Sequence, residues 1–88
     1  DFAGAHVNWG LALVAEGKPA DALAHYQAAL TINSNNLPAH AHLARLLVQH
    51  GQTAQAAGHF GEVLRIDPRN RAARQFFETN QPRREGSP

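Results

Sequence analysis

An all-α fold made of two helix-turn-helix repeats and one closing helix is predicted by three features of the sequence. After a shift of about 34 residues the chain matches itself along the whole unit, without a gap. Each copy holds two helix-length stretches. Glycine and asparagine punctuate both copies at the same places, Gly17 with Gly51 and Asn36 with Asn70. Under the shift Ala5 falls on Ala39, His6 on His40, Leu13-Val14 on Leu47-Val48, and Gly17 on Gly51. Ala20, Ala22 and His25 fall on Ala54, Ala56 and His59, and Leu30, Ile32 and Asn36 on Leu64, Ile66 and Asn70. Tyr26 falls on Phe60, which conserves the aromatic. The units are residues 3–36 and 37–70, and a third begins at Arg71 and runs out.

The first helix is expected from Phe2 to Glu16 and stops at Gly17, a residue suited to the left-handed conformation that ends helices. Lys18-Pro19 restarts the chain, because proline is preorganised for a first helical turn. The second helix then runs to Ile32, and Asn33-Ser34-Asn35-Asn36 makes a turn with a capping residue. The third helix, Leu37 to His50, carries Pro38 in its first turn and stops at Gly51. Thr53 is expected to cap the fourth, which ends at Ile66, where Asp67-Pro68 breaks the chain. Gly58 and Gly61 inside that helix weaken it by about 0.5–1 kcal/mol each relative to alanine, Gly58 in exchange for a close contact. Asn70 caps a fifth helix that Gln81-Pro82 ends, and residues 81–88 read as a flexible tail.

Within each unit large and small residues recur in a fixed order. The first helices carry His6, Trp9-Gly10 and Leu13, then His40, Leu43-Ala44 and Leu47. The second helices carry Ala22, Tyr26 and Ala29, then Ala56, Phe60 and Val63; Pro68 closes the second unit where Ser34 closes the first. This pattern, over residues 3–80, resembles the tetratricopeptide repeat. The resemblance implies a short right-handed α-solenoid, a domain over residues 1–80, whose first helices line a concave groove. Packing supports the pattern independently: Gly10 and Ala44 should face Ala22 and Ala56 where two helices cross closely. Trp9 and Leu43 should fill the wedge beside that crossing, and Tyr26 and Phe60 should pack between their own unit and the next first helix. In the fifth helix Phe77 takes the place of Trp9 and Leu43, but Glu78 takes the small-residue place. Residues 71–80 are therefore expected to be a capping helix at the C-terminal end of a repeat array.

Composition narrows the chemistry. The 88 residues are rich in alanine, the best helix former, and only 7% aromatic. The absence of cysteine excludes disulfides and thiol catalysis, and no apolar stretch is long enough to span a membrane. No signal peptide is visible, and a chain that does not start with methionine reads as a piece of something longer or as a processed chain. Net charge is +1, although Arg65, Arg69, Arg71, Arg74, Arg83 and Arg84 crowd the last third. That cluster lacks aromatics suited to base stacking, which argues against nucleic acid. Ser34 and Ser87 stand in no nucleophile motif, the acidic residues are scattered, and no glycine-rich phosphate loop exists, so an enzyme is not expected. Six histidines raise the question of metal. His40 and His42 point to different faces of one helix, and the repeat equivalence of His6 with His40 and of His25 with His59 reflects duplication better than a single metal site. No metal and no cofactor is expected.

The expected function is a protein-binding module. The concave face implied by the resemblance carries Val7, Asn8, Leu11, Val14 and Ala15, then Ala41, His42, Arg45, Val48 and Gln49, a mildly apolar stripe suited to a peptide or partner protein. Arg45 is its one fixed cation, too few for a clamp that grips two carboxylates. The alternative is self-association into a homo-oligomer or a larger scaffold, with Phe76, next to Phe77 and without an obvious partner, as the candidate contact.

Overall fold

The computed structural model describes residues 1–80; the tail expected at 81–88, with Arg83, Arg84 and Ser87, lies outside the described residues. Five helices follow one another: α1 Phe2–Ala15, α2 Pro19–Ile32, α3 Leu37–Gln49, α4 Thr53–Ile66 and α5 Arg71–Thr79. No strand occurs among the described residues. The α1/α2 and α3/α4 pairs pack as hairpins, α2 packs on α3, α4 packs on α5, and α1 also touches α3.

Local chemistry repeats with the sequence. Gly17 and Gly51 take φ of +78° and +76°. In each stop the next residue's amide reaches back to the end of the helix, Lys18 to the Leu13 carbonyl and Gln52 to the Leu47 carbonyl, both at 2.8 Å. The glycine amides bond the Val14 and Val48 carbonyls at 3.0 Å, completing the same left-handed C-terminal motif twice. The turns between units are duplicated too. Asn33 and Asp67 accept from the amides of Asn35 and Arg69, and the Asn36 and Asn70 side chains then accept from the Ala39 and Ala73 amides as N-caps. Thr53 departs from expectation: it is the first helical residue, and Gln52 precedes it with no side-chain cap bond. The glycine stop carries the chain into α4 along the path that Gly17-Lys18-Pro19 takes into α2, which puts Thr53 at the place of Pro19.

The core is one cluster that threads all five helices. It is built on Ala3, Leu13, Ala22, Tyr26 and Ala29 in the first unit, on Leu43, Ala44, Leu47, Ala56, Phe60 and Val63 in the second, and on Ala73 and Phe76 in α5. Gly10 is buried, and a β-carbon there would lie 2.5 Å from Cε1 of Tyr26. The small residue at that crossing thus makes room for the aromatic ring. By contrast nothing lies within 4 Å of a β-carbon built at Gly58 or Gly61, so Gly58 does not serve a close contact.

Two expectations about large residues are overturned. Trp9 does not fill a wedge: it is 58% exposed and stacks on His25 with ring centroids 4.1 Å apart, whereas its repeat equivalent Leu43 is 1% exposed. The difference has a simple cause, since α2 packs on α3 whereas no described helix precedes α1. Phe76 is not an uncovered aromatic. It is 8% exposed and packs on Phe60 at 4.6 Å. Phe60 thus sits between its own unit and the next first helix, as expected, and Tyr26 does the same against His42 of α3 at 5.9 Å.

Candidate functional site

Helix periodicity brings Asn8, Leu11 and Val14 of α1 to the same side as His42, Arg45 and Gln49 of α3. Leu11, Val14, His42, Arg45 and Gln49, with Tyr26 beneath, line a shallow depression of about 150 Å³. Arg45 and Gln49 also border the next depression, of about 580 Å³, whose other walls are Val48, Phe60, Ala72, Gln75, Phe76, Thr79 and Asn80. The two depressions are neighbours that share Arg45 and Gln49 of α3, one towards α1 and the other towards α5. Leu11, Val14 and Val48 leave substantial apolar surface open to them.

Not every residue expected on this face reaches it. Val7 is 5% exposed and belongs to the core cluster, where α1 meets α2 and α3, so it is unavailable to a ligand. Ala41 is half-buried and packed against the core. Asn8 and Gln49 are exposed, His42 is half-buried, and Arg45 is exposed. No described carboxylate pairs with Arg45; the ion pairs among the described residues are Lys18–Glu16 and Arg65–Glu62.

The electrostatics follow from this packing. Burial pushes the Tyr26 hydroxyl above its ordinary value, an effect that the nearby Arg45 charge partly offsets. Burial, reinforced by Arg45, holds the His42 imidazole below its ordinary value and so favours the neutral ring. The floor of the depression between α1 and α3 is therefore uncharged, with a single guanidinium on its rim.

A further arrangement was not foreseen. His6 of α1 meets His25 of α2 with their Nδ1 atoms 3.0 Å apart, and His40 of α3 meets His59 of α4 at the same distance. The sequence signal was available: both pairs are separated by 19 residues and superpose under the repeat shift. No group of three or more histidine, aspartate or glutamate side chains converges among the described residues. The described part of the arginine cluster, Arg69, Arg71 and Arg74, lines a separate depression with Gln75 and Glu78.

The family model described as "Tetratricopeptide repeat" matches residues 13–76, most of the chain. The protein belongs to the tetratricopeptide repeat family. Repeats of this family generally mediate protein–protein interaction, and a tetratricopeptide unit is typically non-catalytic. No curated protein matches the chain closely enough to count as a relative. No described helix is long and apolar enough to cross a membrane.

Proposed function

We propose that the chain binds a peptide segment of a partner protein along the two depressions, across α1, α3 and α5. The observation that carries this reading is that two neighbouring depressions share Arg45 and Gln49 as lining residues. Their exposed apolar residues, Leu11 with Val14 at one end and Val48 at the other, suit the apolar side chains of an extended or helical peptide. Arg45, unpaired among the described residues, suits one carboxylate of that peptide rather than two. Residues 71–80 act in this reading as the terminal cap of the repeats, and α5 supplies the far wall.

The test is a selection of peptides from a display library on the immobilised chain, followed by affinities from fluorescence anisotropy. Arg45→Glu should weaken the selected peptides by about tenfold or more, the scale of a binding hot spot. Trp9→Ser, away from both depressions, should leave them unchanged. Selected peptides that bind the Arg45→Glu and Leu11→Asp variants as tightly as the parent would refute the reading.

Self-association, the second reading, no longer rests on Phe76. A different observation favours it: Phe2 and Trp9 stand exposed on α1, on the side where Leu43 of α3 is covered by a helix. Light scattering over a concentration series should then show a dimer that Trp9→Ser dissociates; a constant monomer eliminates it.

A further inference from the structure

Two imidazoles from neighbouring helices meet nitrogen to nitrogen, and they do so once in each repeat. In the second repeat the arrangement is the more complete. Nε2 of His40 lies 2.8 Å from the Ser34 carbonyl oxygen, which can only accept, so Nε2 carries the proton and Nδ1 presents its lone pair. That lone pair faces Nδ1 of His59 at 3.0 Å. In the absence of a competitor the His59 Nδ1–H donates to it.

The same constellation has the parts of a metal site. Imidazole nitrogens bound to one zinc-like ion at about 2.0–2.1 Å, with an angle at the metal of about 90–110°, stand roughly 2.9–3.4 Å apart. The observed separation lies within that span, but the rings meet nearly head-on, with centroids 5.2 Å apart, so an ion replacing the bridging proton sits off the line between the nitrogens and the rings must turn by about 40° to aim at it. A metal-binding histidine commonly donates its second nitrogen to a carbonyl or carboxylate, which fixes the tautomer and the ring orientation. His40 already does this through Ser34. The ring is held by the protein rather than by the ion, since His40 is buried between α3 and α4.

We propose that the His40–His59 pair, and more weakly its duplicate His6–His25, binds a divalent transition-metal ion of the copper–nickel–zinc class through both Nδ1 atoms. Imidazole is a preferred ligand for these ions, while calcium and magnesium demand oxygen. Solvent completes the coordination, because no third histidine or carboxylate converges among the described residues. The His6–His25 pair has no equivalent of the Ser34 contact, and His25 is instead stacked on Trp9, so this site is the weaker one. Each site pins the first helix of a unit to the second and so ties occupancy to the fold.

Asparagine is the informative replacement, because its Nδ2–H stands near the position of the histidine Nδ1–H and preserves the bond to the facing ring while binding metal poorly. Calorimetry with zinc chloride alone, near pH 7.5, should give two sites of unequal strength on the parent chain. His59→Asn should remove the stronger and spare the weaker; His25→Asn should do the reverse. Copper(II) gives an independent readout, since the chain has a single tryptophan and it stacks on His25. Copper should quench Trp9 fluorescence in the parent and in His59→Asn, and fail to do so in His25→Asn. Lowering the pH to about 5.5 should weaken binding more than tenfold, because both ligands must be deprotonated. The proposal is overturned if zinc gives no heat, or if folded His59→Asn, its helical content verified by circular dichroism, keeps the stronger site.

Discussion

Replacing Gly10 by alanine sets two opposing effects against each other at one position. Alanine is favoured over glycine in a helix interior by about 0.8–1.0 kcal/mol. The new β-carbon, however, would lie 2.5 Å from Cε1, 2.9 Å from Cδ1 and 3.0 Å from Cζ of Tyr26. That ring has little freedom to withdraw, because Tyr26 is fully buried and stacked on His42. Overpacking of this kind costs about 1–3 kcal/mol. The overlap falls on three atoms of a pinned ring, which puts the cost in the upper part of that range, and the net loss is about 1–2 kcal/mol. In a domain of this size each kcal/mol lowers the melting temperature by roughly 4–8 °C. The same substitution at Gly58 and Gly61 of α4 meets open space and should raise stability by up to about 1 kcal/mol at each site. Urea unfolding followed by far-UV circular dichroism measures all three variants, with an unchanged slope confirming that only stability moved. In a Tyr26→Leu background, itself destabilised by the lost ring, the added cost of Gly10→Ala should shrink, since the colliding ring atoms are gone. A Gly10→Ala variant at least as stable as the parent would refute the account of that crossing.

Three further outcomes are expected. Phe60→Ala removes the ring that joins α4 to Phe76 of α5; it should cost about 3–5 kcal/mol and unfold much of the chain at room temperature, which a loss of helical dichroism would show. Asn70→Ala deletes the cap on the Ala73 amide and should cost about 1 kcal/mol, most visibly as faster amide exchange in α5, with α1 unaffected. The third concerns pH. Burial, helped by the neighbouring His40 charge and opposed by Glu62, depresses the His59 value, and burial with Arg45 depresses that of His42. The unfolded chain therefore binds more protons than the folded one once pH falls through the ordinary histidine value of about 6.5, and stability falls with it. The melting temperature should be flat above about pH 7.5 and drop towards pH 5.5, less steeply in His59→Asn; a rise on acidification would contradict the sign.

The sequence determined the elements of this protein because their signals are local and occur twice. Gly17 and Gly51 stop helices through backbone geometry that needs only the residues beside them, and Asn36 and Asn70 cap through bonds that span three residues. Hence the helix ends agree with expectation to within a residue. Thr53 misled because the helix starts one residue earlier than its capping chemistry suggests: the glycine stop ties Gln52 back to Leu47, and Thr53 is already helical. What each face of a helix touches was legible only where the repeat shift was carried through. Phe76 falls on His42 and Phe60 on Tyr26, so the buried Phe60–Phe76 contact is the Tyr26–His42 contact repeated.

Tertiary structure alone decided exposure and convergence. Trp9 and Leu43 hold one repeat position, yet only Leu43 has a helix packed over it; burial is a property of the neighbour and is not encoded at the position. Val7 and Leu11 are both apolar, lie one turn apart, and differ in which of them the α1–α2–α3 junction encloses. The histidine pairs depend on χ angles and on a backbone carbonyl six residues away from His40 in sequence. Helical spacing relates residues within a helix, whereas the pairing of His40 with His59 required two helices to be docked at a set depth and rotation.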